Sequence, residues 1–170
     1  MSLPPPRDSS GPYRVCLVCL GNICRSPTAE QVLRADVDRA GLTDAVVVDS
    51  AGTGSWHIGS GMDPRAAATL RVYGYPTEHV ARRFETEWFA HRDLVLAMDG
   101  DNHAELRRRA PTAEDAQRLA MFRSFAPDAG PYAEVPDPYY GGDDGFATVL
   151  GMVEAASKGL TEQLVALLRP

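Results

Sequence analysis

The sequence has no hydrophobic run of the roughly 20 residues that a membrane-spanning helix needs, and residues 1–12 contain no apolar segment typical of a signal peptide. We therefore expect no membrane partner and a cytoplasmic location, although export without a signal peptide stays open. Residues 1–12 contain Pro4, Pro5, Pro6 and small polar side chains, so we expect a disordered tail there. One domain should occupy residues 13–170, since this length and 44% hydrophobic residues suffice for a single core.

Lysine is also scarce, and there is no long basic run. Lys158 is the single lysine, the longest basic run is Arg107–Arg109, and the formal net charge is −6 at pH 7. Nucleic-acid binding requires a broad cationic face. The composition therefore argues against a nucleic-acid partner.

Cysteine is limited to Cys16, Cys19 and Cys24, which cannot cross-link a secreted fold and favour a reducing compartment. Cys16 and Cys19 form a Cys-x-x-Cys pattern, but residues three apart on a strand point to opposite faces. No second cysteine pair exists, and His57, His79, His91 and His103 lack ligand spacing. We therefore expect no metal and no cofactor, a core role for Cys16, and surface or helix-end roles for the histidines.

A strand, a short loop and a helix are predicted near the start of the chain. The apolar run Tyr13–Val18 indicates a buried strand, while Ser26 as N-cap and Pro27 as the first helical residue indicate a helix start. The intervening loop begins with Cys19 and ends, six positions later, with Arg25. Loop amides and a helix N-terminus favour an anion at such a place.

The residue types in this loop point to a nucleophile inside a phosphate site. Nearby N–H dipoles and the guanidinium should keep Cys19 largely as thiolate at neutral pH. Arg25 can hold two phosphate oxygens at once. Asn22 belongs to the residue type that, after glycine, best tolerates the positive φ of a tight anion-wrapping loop. Phosphate or another oxyanion is the expected ligand.

The rest of the chain alternates strand and helix patterns. Strands are predicted at Ala45–Asp49, Asp93–Met98 and Leu119–Phe125, and helices at Pro27–Ala40, Asp63–Gly74, Asp101–Arg109 and Gly145–Leu168. The pattern of residues 77–92 favours neither a strand nor a helix. This order indicates an α/β fold with a parallel sheet and helices on both faces, in which ligands bind beyond the carboxyl ends of the strands.

A long segment without apolar periodicity, Ala126–Asp144, contains the remaining candidates. Asp137 could protonate a departing alkoxide or phenoxide if this loop covers the Cys19 site, but an ordinary Asp-Pro turn explains the pattern as well. Tyr139, Tyr140 and Trp56 could form the walls of a slot for an aromatic ring. Exposed loop aromatics also occur without a ligand.

The role of Cys24 has two interpretations. It could form a reversible disulfide with Cys19 that protects the nucleophile from irreversible oxidation, or it could simply pack inertly. The residues alone leave both open.

Six stretches match a known family: Val15–Glu30 (VCLVCLGNICRSPTAE), Asp49–Thr53, Trp56–His57, Asp63–Arg65, Leu96–Asp99 and Asp137–Tyr140. From about Tyr13 to the last helix, the chain resembles the low-molecular-weight protein tyrosine phosphatases. The first stretch, with its Cys-x5-Arg motif, is highly specific. The resemblance implies a three-layer fold with a four-stranded parallel sheet.

The resemblance also implies roles for individual residues. Cys19 would be the nucleophile that forms a phosphocysteine intermediate, Arg25 the phosphate clamp and Asp137 the general acid. Substrate or phosphate would contact Leu20, Gly21, Asn22, Ile23, Cys24, Ser26, Trp56, Tyr139 and Tyr140. Ser50 and Asn22 would hold the loop's shape, Ser26 would donate to the Cys19 thiolate, and the redox role of Cys24 gains support. The implied partners are phosphotyrosine-containing proteins, and we expect a monomer, with a weak dimer left open.

Two relatives on this fold and one different class of function are the alternatives. Thioredoxin-coupled arsenate reductases need further cysteines downstream, and no cysteine follows Cys24. Protein arginine phosphatases carry a threonine where this chain has Ile23, so isoleucine favours phosphotyrosine. A phosphotyrosine-binding or redox-sensing protein would use the same pocket without turnover, but it has no need of Cys19, Arg25 and Asp137 together.

Overall fold

The computed structural model describes residues 2–142 and 144–169 and contains one four-stranded sheet. All pairings are parallel, in the order β2-β1-β3-β4. The strands are β1 (Tyr13–Cys19), β2 (Val46–Gly52), β3 (Leu94–Ala97) and β4 (Leu119–Met121). The helices are α1 (Arg25–Arg39), α2 (Pro64–Val72), α3 (Gly100–Arg109), α4 (Ala113–Gln117) and α5 (Asp144–Leu168).

The sheet separates two apolar clusters, because alternate residues of β1 point to opposite faces. Val15, Leu17 and Cys19 pack with α1 and α5, whereas Cys16 and Val18 pack on the other side. Cys16 is fully buried, as its predicted core role requires. Helices therefore cover both faces, and the predicted α/β fold with a four-stranded parallel sheet is confirmed.

The start of α1 differs from the prediction. The helix begins at Arg25, and its N-cap residue is Cys24, without a side-chain hydrogen bond. Ser26 is therefore not the N-cap, and its hydroxyl contacts Cys19 Sγ. A side chain of the type that usually caps a helix serves the loop before it instead.

Two other segments differ in type. The fourth strand ends at Met121, and residues Phe122–Phe125 form a 3-10 helix instead of continuing it. The segment that the sequence left unassigned includes a second 3-10 helix, Thr86–His91. The helix α4 had no counterpart in the prediction, because five residues are too few for an amphipathic pattern.

The segment before β1 forms no helix or strand, yet part of it lies against the sheet. Arg7 donates its backbone amide to Asp93 Oδ1 (2.7 Å) and its guanidinium to Asp115 Oδ1 (2.5 Å). Tyr13 donates its hydroxyl to the carbonyl of Pro4 (2.9 Å). These contacts differ from the disordered tail that composition suggests, because two acidic side chains distant in sequence come together beside Arg7.

Among the described residues, no helix is both long and apolar enough to cross a membrane.

Candidate active site

The Cys-x5-Arg segment, residues 19–25, joins the carboxyl end of β1 to the start of α1, and we call it the catalytic loop after the role that the resemblance implies for Cys19. We call residues 126–142 the acid loop, after the role that the resemblance implies for Asp137. Both border a cavity of about 370 Å³. Its lining consists of Cys19, Leu20, Gly21, Ile23, Cys24, Arg25, Trp56, His57, Asp137, Tyr139 and Tyr140. The structure thus brings together most residues predicted for the site, but Asn22 and Ser26, which were expected to contact substrate or phosphate, are fully buried and do not line the cavity.

Cys19 is buried within the catalytic loop and has two polar neighbours. Its Sγ lies 3.0 Å from Ser26 Oγ and accepts a hydrogen bond from the amide of Asn22 (3.3 Å). If the sulfur is ionised, the Ser26 hydroxyl must be the donor, because a thiolate has no proton to give.

Asn22 connects the catalytic loop to neighbouring segments through its side-chain hydrogen bonds. Its φ is +57°, the left-handed conformation that the sequence predicted for an asparagine here. The side-chain amide donates to Ser26 Oγ (2.8 Å) and Ser50 Oγ (3.0 Å), and Oδ1 accepts from the amide of Arg82 (2.8 Å). Ser50 in turn donates to Glu30. Buried polar groups whose hydrogen bonds are all made, as here, tend to hold a loop in one conformation.

The backbone of β2 lies close against the backbone of the same loop. At Gly52, the last residue of β2, a Cβ atom would lie 2.7 Å from the carbonyl oxygen of Leu20 and 3.1 Å from the carbonyl carbon of Gly21. Only a residue without a side chain fits there unless the loop moves.

Arg25 is buried and interacts with two carboxylates. It donates through Nη1 to Asp99 Oδ2 (2.6 Å) and to the carbonyl of Val135 (3.1 Å), and through Nη2 to Asp137 Oδ2 (3.4 Å). Burial acts to lower the pKa of Arg25, but Cys19 and the two carboxylates outweigh it and raise the pKa. The guanidinium therefore stays charged at every accessible pH.

Asp137 and the aromatic residues form the outer part of the site. Asp137 Oδ1 accepts a hydrogen bond from the amide of Tyr139 (3.0 Å), and its side chain is 35% exposed. The rings of Tyr139 and Tyr140 meet edge to face, 4.9 Å apart. Tyr140 and Trp56 are mostly exposed at the cavity mouth. The geometry is that of a polar floor with aromatic walls.

Cys24 lines the same cavity, and all three cysteines are free thiols. Burial, together with the charge of Asp63, raises the pKa of Cys24 above its usual range. Its thiol is therefore a poor nucleophile in the folded protein.

Sequence reasoning missed four residues of this site. His57 lines the cavity, with its ring 6.4 Å from that of Tyr139, and His79 Nε2 lies 2.6 Å from the carbonyl oxygen of Asn22. The surface or helix-end role expected for each histidine is wrong for these two. Asp99 and Glu30 lie in motifs that match the family, but nothing local links them to Arg25 and Ser50.

The residues that the structure describes contain no group of three or more His, Cys, Asp or Glu side chains arranged to hold a metal ion.

A parallel α/β sheet whose central strand leads into a loop and a helix N-terminus beside a cavity is typical of the α/β proteins that bind anionic ligands at that place. The family model for low molecular weight phosphotyrosine protein phosphatase matches residues 14–168. The chain belongs to this family.

Individual relatives agree with this assignment. A low molecular weight protein-tyrosine-phosphatase of Streptomyces coelicolor is 56% identical over 149 residues, covering 87% of this chain and 91% of that protein. Low molecular weight protein-tyrosine phosphatase A of Mycobacterium tuberculosis is 49% identical over 152 residues, covering 89% and 91%. A crystal structure of a protein tyrosine phosphatase from Entamoeba histolytica, with Hepes in the active site, has a TM-score of 0.86 at 37% identity and covers 91% of this chain and 97% of that chain.

Proposed function

We propose that this protein hydrolyses phosphotyrosine in proteins through a phosphocysteine intermediate. The observation that carries the proposal is the arrangement of Cys19, Arg25 and Asp137 around one cavity, with the sulfur hydrogen-bonded within the catalytic loop. A nucleophile, a cation for the phosphate oxygens and a proton donor are the three groups that phosphoryl transfer to a thiolate requires.

In the first step, the Cys19 thiolate attacks phosphorus while the P–O bond to the tyrosine oxygen breaks. Arg25 and the amides of the catalytic loop hold the equatorial oxygens, where charge concentrates in the transition state. Asp99 holds the Arg25 guanidinium through Nη1, while Nη2 faces Asp137, so the cation for the phosphate and the proton donor lie side by side. Asp137 gives its proton to the leaving phenolate oxygen.

In the second step, the ionised Asp137 takes a proton from a water molecule, which attacks the phosphocysteine. The S–P bond breaks, inorganic phosphate leaves and Cys19 is again a thiolate. Asp137 regains its proton and can begin another cycle.

The walls of the cavity favour an aromatic substrate. Trp56, Tyr139 and Tyr140 can pack against a phenyl ring, and Ile23 adds an apolar surface in the loop itself. A phosphoarginine side chain would bring a charged guanidinium against these apolar groups without a carboxylate dedicated to it. We therefore expect phosphotyrosine to be preferred over phosphoarginine.

The test is hydrolysis of a phosphotyrosine peptide in the presence of EDTA, with phosphoserine and phosphoarginine as comparison substrates. We expect turnover of phosphotyrosine alone, and its loss in Cys19→Ser. Binding of the peptide without turnover by the wild type would favour a binding or redox-sensing protein. A preference for phosphoarginine would contradict the role given to Ile23.

A further inference from the structure

The Asp63-Pro-Arg65 motif has no part in the chemistry described above, yet it lies beside the site. Asp63 is the N-cap of α2 and accepts hydrogen bonds from the amides of Arg65 (2.8 Å) and Ala66 (3.4 Å). The Arg65 guanidinium also pairs with Asp63, through Nε to Oδ1 (3.3 Å) and Nη2 to Oδ2 (3.1 Å). Burial acts to raise the pKa of Asp63, but these bonds outweigh it and lower the pKa, so the pair stays charged.

The start of α2 is attached to the catalytic loop. The amide of Asp63 donates to the carbonyl of Ile23 (2.8 Å). Ala66, one turn into α2, packs in the same apolar cluster as Ile23 and Cys24. Asp63 is only 7% exposed, so this attachment lies in the interior.

The Arg65 side chain also reaches the acid loop. Its Nη2 donates to the carbonyl of Tyr139 (3.0 Å). The guanidinium carbon lies 5.4 Å from the centre of the Tyr139 ring and 4.7 Å from the centre of the Phe146 ring, within the range of cation–π attraction. The amide of the same tyrosine donates to Asp137 Oδ1.

These contacts form a continuous connection from the catalytic loop to the general acid. We propose that Arg65 is a positioning residue that holds Tyr139, and through it Asp137, at the distance from the catalytic loop that proton donation to the leaving oxygen requires. This inference rests on the proposed function, because it assigns Arg65 an effect only through Asp137, in the steps in which that side chain gives or takes a proton.

The chemistry of arginine suits this task. Its planar fork can bond to a carboxylate and a carbonyl while its faces stack on rings. A lysine ammonium could keep the charge near Asp63 but has no planar face to stack on two rings. Arg65→Lys should therefore retain the attachment of α2 and lose much of the hold on Tyr139.

The first experiment measures kcat/KM for two aryl phosphates whose leaving groups differ in their need for a proton. For Arg65→Ala we expect about a tenfold loss with phenyl phosphate and less than about a threefold loss with p-nitrophenyl phosphate, since acid catalysis matters most for poor leaving groups. Competitive inhibition by inorganic phosphate should stay unchanged, because Arg65 does not line the cavity. Equal losses with both substrates would overturn the proposal.

The second experiment combines Arg65→Ala with Asp137→Asn. If Arg65 acts through Asp137, the double variant should be no slower than Asp137→Asn alone, because the lost interaction is shared. Independent, multiplying losses would indicate a general structural role and overturn the proposal. Arg65→Lys should show the same leaving-group dependence as Arg65→Ala, and it replaces that variant in both experiments if the alanine variant does not fold.

Arg71→Ala is the matched control. Arg71 lies on the same helix and donates to Thr77 Oγ1 (3.3 Å), on the exposed surface. We expect wild-type kcat/KM with both aryl phosphates, and a leaving-group-dependent loss in this control would contradict a specific role for Arg65. Failure of the wild type to hydrolyse a phosphotyrosine peptide would instead count against the proposed function itself.

Discussion

The catalytic loop and the acid loop border the same cavity but are held in different ways. In the catalytic loop, Asn22 is fully buried and its side chain bonds to two serine hydroxyls and a backbone amide. In the acid loop, Val135 is buried, with its amide bonded to the carbonyl of Met98, while Tyr132 and Tyr140 are 85% and 91% exposed. The catalytic loop is therefore part of the core, whereas the acid loop contacts the core at a few residues.

This difference implies that stability and activity are coupled in the catalytic loop and separable in the acid loop. A buried, satisfied polar network loses stability when any member is removed. An exposed loop side chain that interacts mainly with substrate contributes little to the free energy of unfolding. The following changes test that separation, beginning with the largest expected effect.

Asn22→Ala should impair both properties. The variant loses buried hydrogen bonds and places alanine at φ +57°, which together should lower the free energy of unfolding by about 2–4 kcal/mol and greatly reduce turnover. Chemical denaturation and phosphotyrosine-peptide kinetics provide the measurements. Asn22→Gly, which tolerates the backbone conformation, should lose less stability; wild-type stability in the alanine variant would refute the coupling.

Asp137→Asn should separate the two properties. Because the side chain is partly exposed, the free energy of unfolding should change by less than about 0.5 kcal/mol. Turnover of substrates with poor leaving groups should fall by at least about 100-fold, the usual contribution of general acid catalysis. A large loss of stability would show that the acid loop is not separable from the core.

Gly52→Ala and Gly142→Ala form a matched pair across the two loops. A Cβ at Gly52 would meet the backbone of the catalytic loop, whereas at Gly142 it would meet nothing within 4 Å. The first variant should lose about 1–3 kcal/mol and some turnover, since overpacking moves the loop. The second should stay within about 0.5 kcal/mol of the wild type. Thermal unfolding of both variants measures these losses. Equal losses of stability would contradict the difference between the two loops.

The smallest effect concerns pH. Burial lowers the pKa of His79 below its usual value, although its hydrogen bond with the Asn22 carbonyl opposes this. A histidine with a lowered folded pKa binds fewer protons when folded, so its contribution to stability is present above the usual histidine pKa of about 6.5 and is lost as the pH falls through the folded pKa. Between pH 7.5 and 5, the Tm of the wild type should therefore fall further than the Tm of His79→Gln. A constant difference would contradict this role.

Much of the fold followed from local patterns. The apolar run before Cys19 predicted β1, Asp63 with Pro64 predicted the start of α2, and the alternation of strands and helices predicted the parallel sheet. The prediction that the helix starts at Ser26 was wrong. Local preference favours this hydroxyl as a helix cap, but in the structure it contacts Cys19, which is a tertiary interaction.

The candidate site was predictable to a different extent. The resemblance to a known family supplied Asp137 and the aromatic walls, which spacing alone left undecided. The contacts of His57, His79 and Arg65 had no local signal, since each joins segments far apart in the chain.

The sequence by itself determined the strand, the catalytic loop with its left-handed asparagine, and the order of elements, because these depend on the conformational preferences and periodicity of neighbouring residues. Only the tertiary structure decided which groups surround that loop. Arg25 meets Asp99 and Asp137 across 74 and 112 positions of sequence. Such meetings depend on how parallel strands and their connections bring loops to one edge of the sheet, and no local preference encodes them.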